Sequence, residues 1–119
     1  MDNNVNIKRY ERWYSMPVSE QLLNVGSEVH RALRWKSKND DVKASNFCGK
    51  AIEFLSVIKD DPKNSKRVHE LEACITELED YFYGENLYNT TAETLIRYYD
   101  SFLGVYEKAM SQMQENLLG

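Results

Sequence analysis

Two cysteines, two histidines and nineteen carboxylates carry whatever reactive chemistry this 119-residue chain has, and their spacing restricts it. A di-iron site in a helical bundle takes glutamates from two helices and a Glu-x-x-His from each of the other two. Three residues before His30 and His69 stand Ser27 and Lys66, and Glu72 beside His69 makes at most half a site. No metal and no cofactor is expected. A Gly-x-Ser-x-Gly elbow and a glycine-rich phosphate loop are both missing from the sequence. Glu70, Glu77 and Asp80 share one side of a helix and follow Asp60-Asp61, a pattern that reads as a solvated face. No catalytic residue emerges, and the reading leans away from an enzyme.

Cys48 and Cys74 belong to neither a CxxC pair nor a cysteine–histidine cluster. They read as small buried apolar residues in a reducing compartment. Each lies 13 residues from Asp61, the centre of a short interhelix connection, so an antiparallel hairpin sets them at one level. A redox-dependent bridge between them is the alternative.

Two surfaces offer binding chemistry. Lys8, Arg9, Arg12 and Trp13 precede the first helix, and Arg31, Arg34, Trp35, Lys36 and Lys38 crowd its end. Cations mixed with flat rings suit phosphates and stacked bases, although the clusters stand roughly 30 Å apart along a helix rising 1.5 Å per residue. The net charge of -4 is uneven: residues 1–38 hold seven Lys/Arg against four Asp/Glu, and residues 39–119 hold eight against fifteen. An acidic whole disfavours coating nucleic acid by bulk charge but permits a local patch. The second surface is apolar. Tyr106, Met110, Met113 and Leu117 extend the stripe of the last helix beyond what the shorter helices cover, and Tyr81 and Tyr88 flank the preceding turn. Methionine and tyrosine both suit interfaces.

The elements that position these residues are legible from spacing. Apolar residues recur at steps of three and four in Val18-Leu22-Val25-Val29-Ala32, Cys48-Ala51-Leu55-Ile58, Val68-Leu71-Ile75-Leu78-Phe82 and Leu95-Tyr99-Phe102-Tyr106-Met110. Such steps put each set on one face of an α-helix, and nothing alternates as a half-buried strand does. Helices are predicted over about 18–38, 41–59, 66–83 and 91–114. Ser15, Pro17 and Ser19 announce the first, Asn39-Asp40-Asp41 caps the second, and Asp61-Pro62 ends it. Gly84 is expected to close the third helix in a left-handed conformation, and Thr90 with Glu93 to form a capping box for the fourth. Gly26, inside the first helix, signals a close approach by a neighbour.

One domain spanning 1–119 follows: an all-α, antiparallel up-down four-helix bundle behind a short irregular N-terminal segment, residues 1–14. No apolar run approaches the ~20 residues of a membrane span, and the N-terminus lacks the apolar centre of a secretion signal. A cytoplasmic location is expected.

The stretches VSEQLLNVGSEVHRALRWKSKN, KAIEFLSVIKDDPKN and EDYFYGENLYNTTAE resemble an uncharacterised family of short prokaryotic helical proteins, over about Arg12 to Phe102. The resemblance implies a helical fold and a prokaryotic, cytoplasmic origin, and no activity. A looser similarity is to HEPN helical domains, whose RNA-cleaving members place an arginine five to seven residues before a histidine. Those positions hold Asn64, Lys63 and Pro62 before His69, and Val25, Asn24 and Leu23 before His30. A non-catalytic relative is what this similarity implies. The sequence thus favours a protein that works by association, as a homo-oligomer (a dimer) or an adaptor. The alternative is a nucleic-acid-associated regulator using the basic-aromatic surface.

Overall fold

Leu22, Val25, Val29 and Ala32 line the buried face of α1 (Val18–Ser37) in the computed structural model, which describes residues 10–118. α2 (Asp41–Asp60), α3 (Val68–Phe82) and α4 (Ala92–Leu118) follow, and no strand occurs among the described residues. α1 packs against both α2 and α4, and α2 packs against α3. The result is the expected all-α bundle. Its core is built from Leu22, Leu55, Ile58, Leu71, Leu78 and Leu95, each essentially without solvent contact. Burying one such side chain contributes about 1.5–3 kcal/mol.

Local signals set most helix ends. Asn39 adopts φ 61°, which reverses the chain, and the Asp40 carboxylate accepts the Lys43 backbone N–H at 3.0 Å to cap α2. Three expected details shift. Pro17 takes the N-cap position of α1 with no side-chain cap, while the Ser15 hydroxyl donates to the Arg12 carbonyl and Ser19 is buried. The capping box of α4 is Thr91 with Thr94, one residue beyond Thr90 and Glu93: Thr94 N–H donates to Thr91 Oγ1 at 3.2 Å and Thr91 N–H to Thr94 Oγ1 at 3.1 Å. Thr90 is left to bond Glu77 and Asn86.

Gly84 does not take the left-handed conformation; Asn86 (φ 56°) and Asn89 (φ 53°) do. A Cβ at 84 would still sit tightly, 3.0 Å from the Asp80 carbonyl oxygen. The Asp80 carboxylate then accepts the backbone N–H groups of Leu87 (2.8 Å) and Tyr88 (3.1 Å), closing the loop into α4.

Gly26 marks the close approach its position signals. A Cβ at residue 26 would lie 2.9 Å from Tyr99 Cβ, so the α1 backbone meets the root of the Tyr99 side chain there.

Residues 10–16 are more ordered than their lack of periodicity implies. Glu11–Ser15 forms a 3-10 helix docked on α2, with Trp13 4.5 Å from the Phe54 ring and the Tyr10 hydroxyl donating to Glu53. Beneath it lies a buried polar network. Gln21 Nε2 donates to the Trp13 carbonyl (2.7 Å) and to Asp61 Oδ2 (3.0 Å), and Asn64 Nδ2 donates to Gln21 Oε1 and the Ile58 carbonyl, each at 3.0 Å. Asp61 is therefore not part of a solvated face. It caps the 3-10 helix Pro62–Arg67 that leads into α3.

That 3-10 helix also corrects the cysteine register. Cys48 Sγ lies 3.9 Å from the Leu78 carbonyl and the Tyr83 hydroxyl donates to the Ser45 carbonyl at 2.9 Å. Both pairs centre the hairpin near residues 63–64 rather than 61, so Cys48 faces Leu78 and Cys74 sits about a turn away. Both cysteines are free and buried.

Candidate interaction surface

α4 is the longest helix, and its 27 residues reach about 40 Å at 1.5 Å per residue. Its buried residues are Leu95 and Tyr99 alone, where α1 covers it. Beyond Phe102, whose ring lies under the Arg67 guanidinium at 5.6 Å, the stripe runs on into half-buried and then exposed residues. Leu103, Val105, Met113, Leu117 and Leu118 are exposed, Leu117 by 84 %. Tyr106 and Met110 are half-buried. Tyr106, Met110, Met113 and Leu117 together line one shallow trough of about 570 Å³, so the structure unites these four expected interface residues.

The two tyrosines of the preceding turn part company. Tyr81 packs edge-on against Phe82, ring centres 5.0 Å apart, beneath the Lys36 ammonium at 4.4 Å. Tyr88 is 65 % exposed and borders a groove of about 690 Å³ where α3 and α4 diverge. Side chains rather than backbone packing bridge that seam. Cys74 Sγ–H donates to the Tyr98 hydroxyl (3.4 Å), which donates to Glu70 Oε1 (2.6 Å), and Arg67 binds the same carboxylate through two N–H groups at 2.8 and 3.0 Å.

The groove has nucleophile-like and base-like groups without activation. Arg67 bonding holds the Glu70 carboxyl below its usual range, against the opposing effect of burial and with help from Tyr98. Burial raises the Cys74 thiol above its ordinary pKa and pushes Cys48 up to about 11. Both thiols stay protonated at neutral pH and are poor nucleophiles. Burial likewise raises Tyr98 and Tyr99. Among the described residues, no group of three His, Cys, Asp or Glu is placed to hold a metal ion.

The Tyr99 hydroxyl is buried without a well-formed hydrogen bond, and the Cys74 thiol is among the groups that act on it. Leaving such a group unsatisfied costs about 1–3 kcal/mol. Tyr99→Phe should therefore hold or raise the thermal midpoint, and calorimetry showing a clear drop would reveal a partner for the hydroxyl.

Some of the basic-aromatic residues are engaged within the fold. Trp13 belongs to the packing described above, and Trp35 lies under Lys43 (4.0 Å) and Lys38 (5.0 Å). Lys36 bonds the Tyr81 carbonyl at 3.3 Å, and Arg31 pairs with Glu28 at 2.7 Å. Arg12 and Arg34 are exposed at opposite ends of α1. Lys8 and Arg9 lie outside the described residues. Arg12 thus stands apart from Arg31, Arg34 and Lys36, which lie toward the far end of α1.

Sequence reasoning missed the Gln21–Asp61–Asn64 network and the Cys74–Tyr98–Glu70–Arg67 chain. No short-range signal announces either, since each joins residues more than 20 positions apart. No described helix is long and apolar enough to cross a membrane. No family model matches the chain, and neither a curated protein nor a solved structure matches it.

Proposed function

We propose that this protein acts through protein–protein association, with the uncovered half of α4 as its contact surface and a second copy as its partner. One observation carries the reading: the stripe that α1 buries at Leu95 and Tyr99 continues in the same phase into exposed Met113 and Leu117. A contiguous apolar face of that kind is uncommon on a monomer and marks an interaction site. The unpaired buried thiols suit a reducing, cytoplasmic setting. Nucleic-acid contact draws less support, because Lys36 already bonds the Tyr81 carbonyl and Arg31 pairs with Glu28.

Sedimentation equilibrium tests the proposal. The mass should rise from 14.0 kDa toward twice that value over tens to hundreds of micromolar, as suits a small interface. Met113→Lys combined with Leu117→Lys should hold the chain monomeric while leaving the thermal midpoint of the body within about 2 °C, since surface changes away from packed features are nearly neutral. A monomer at every concentration would overturn it.

A further inference from the structure

Four residues of one α3 face shape the groove between α3 and α4. Glu70 and Glu77 stand seven residues apart, about 10 Å along the axis, and the small side chains of Ala73 and Cys74 lie between them. Larger residues at 73 and 74 would fill this space. Tyr98 from α4 and Tyr88 from the preceding loop wall it off, and all six residues line the groove of about 690 Å³. That volume falls within the about 300–1,000 Å³ of small-molecule sites. We propose that the groove binds a small organic cation, an ammonium or amidinium group on a flat apolar body, with the charge at Glu77 and the body over Ala73 and Cys74. The inference is separate from association through the end of α4.

Three observations carry the proposal. First, the two carboxylates on this face are treated differently. Glu70 is held by two N–H groups of Arg67 and by the Tyr98 hydroxyl, so its charge is already answered. Glu77, half-buried, accepts the Thr90 hydroxyl at 3.3 Å and pairs with no cation among the described residues. A carboxylate has about four acceptor sites, so Glu77 keeps room for a charged donor. Secondly, the lining selects the sign and kind of ligand. Glu72 adds an exposed carboxylate, and no lysine or arginine lines the groove among the described residues. The tyrosine rings also attract cations through their faces. Because no three donors are placed to hold a metal ion, the geometry suits an organic cation. Thirdly, the Tyr99 hydroxyl, on a residue only 1 % exposed, lacks a well-formed hydrogen bond, and Cys74 and Glu77 of this wall are among the groups that act on it.

Benzamidinium tests the site, with benzamide as a neutral molecule of nearly the same shape and benzoate as the anion. Each is titrated into isotope-labelled protein at fixed pH and ionic strength while amide NMR signals are followed. Benzamidinium should shift the amides of Ala73, Cys74, Glu77 and Tyr88 along one saturating curve. Benzamide should bind about tenfold more weakly or worse, as suits the loss of a charge-assisted hydrogen bond to a half-buried carboxylate, and benzoate should leave these signals in place. Glu77→Gln should weaken benzamidinium by a similar factor; its amide oxygen still accepts from Thr90, so the thermal midpoint should hold. Ala73→Met keeps every charge and fills the hollow, and it should abolish the saturating shifts. Ala73 is exposed and methionine is a good helix former, so this variant should fold. Benzamide binding as tightly as benzamidinium would overturn the proposal, as would saturating shifts centred on other residues or none at all. Binding of benzamidinium that ignores both substitutions would overturn it too. The self-association of the chain is read separately by sedimentation, so neither result decides the other.

Discussion

Replacing Gly26 with alanine should lower the thermal midpoint by about 5 °C, although alanine is the better helix former by roughly 1 kcal/mol. The added Cβ would stand 2.9 Å from Tyr99 Cβ and 4.0 Å from Tyr99 Cα. Those atoms are rooted in the α4 backbone, so no rotamer change relieves the contact and the helix itself must move. Overpacking of this kind costs about 1–3 kcal/mol. At the upper part of that range it outweighs the propensity gain and leaves a net loss of about 1–2 kcal/mol. Gly26→Leu should be more severe and separate α1 from α4. Helical circular dichroism during heating or urea titration reads both variants. A midpoint for Gly26→Ala at or above that of the parent would show that the helices are less tightly apposed than 2.9 Å.

Gln21→Leu should be the most damaging single change of similar size. It keeps side-chain volume but deletes the acceptor for Asn64 and the donor for both the Trp13 carbonyl and Asp61. Gln21 and Asn64 are almost wholly buried, so the orphaned groups gain no water. Losing partners at about 1–3 kcal/mol each gives an expected destabilisation of about 3 kcal/mol or more. The 3-10 helix Glu11–Ser15 should loosen with it, because the Trp13 carbonyl is one of its anchors. Faster amide exchange across residues 11–15 would report that loosening. Full retention of stability would mean that the network contributes nothing net.

The same network sets an acid response. Burial pushes the Asp61 pKa up, but hydrogen bonds from the Lys63 side chain, Gln21 and the Lys63 backbone N–H outweigh it and leave the carboxyl below its ordinary value. The folded state therefore binds this proton less readily than the unfolded chain, whose aspartates titrate near pH 3.9. The stabilisation is present above about pH 4 and is lost as pH falls through the depressed folded value. Glu70, also lowered, acts in the same direction. Asp61→Asn should cost stability at pH 7 and flatten the decline below pH 4, as urea titrations at stepped pH would show.

The helices and their ends were legible because the signals are local. Steps of three and four need no partner to be read, and Asp40 caps α2 three residues from the N–H it binds. Where a cap shifted by one residue, from Thr90 to Thr91, two threonines competed locally and the pull of Glu77 and Asn86 on Thr90 settled the outcome. The exposed end of α4 was legible for a related reason: its stripe outruns the three other described α-helices. Asp61 was misread as solvated because acidity is visible in a sequence, whereas the donors that surround it come from α1 and the next turn.

By itself, then, the sequence determined an all-α chain of four amphipathic helices, a tight contact at Gly26 and an apolar face left over on the fourth. The tertiary structure decided that Tyr99 is what Gly26 meets, and that Cys48 lies against Leu78 rather than Cys74. It also decided that Trp13 packs on the core and Lys36 lies over the Tyr81 ring, and that α3 and α4 diverge over a groove. The physical reason is range: helical periodicity and capping act within a turn, while register, burial and hydrogen-bond partners depend on how separate helices come together.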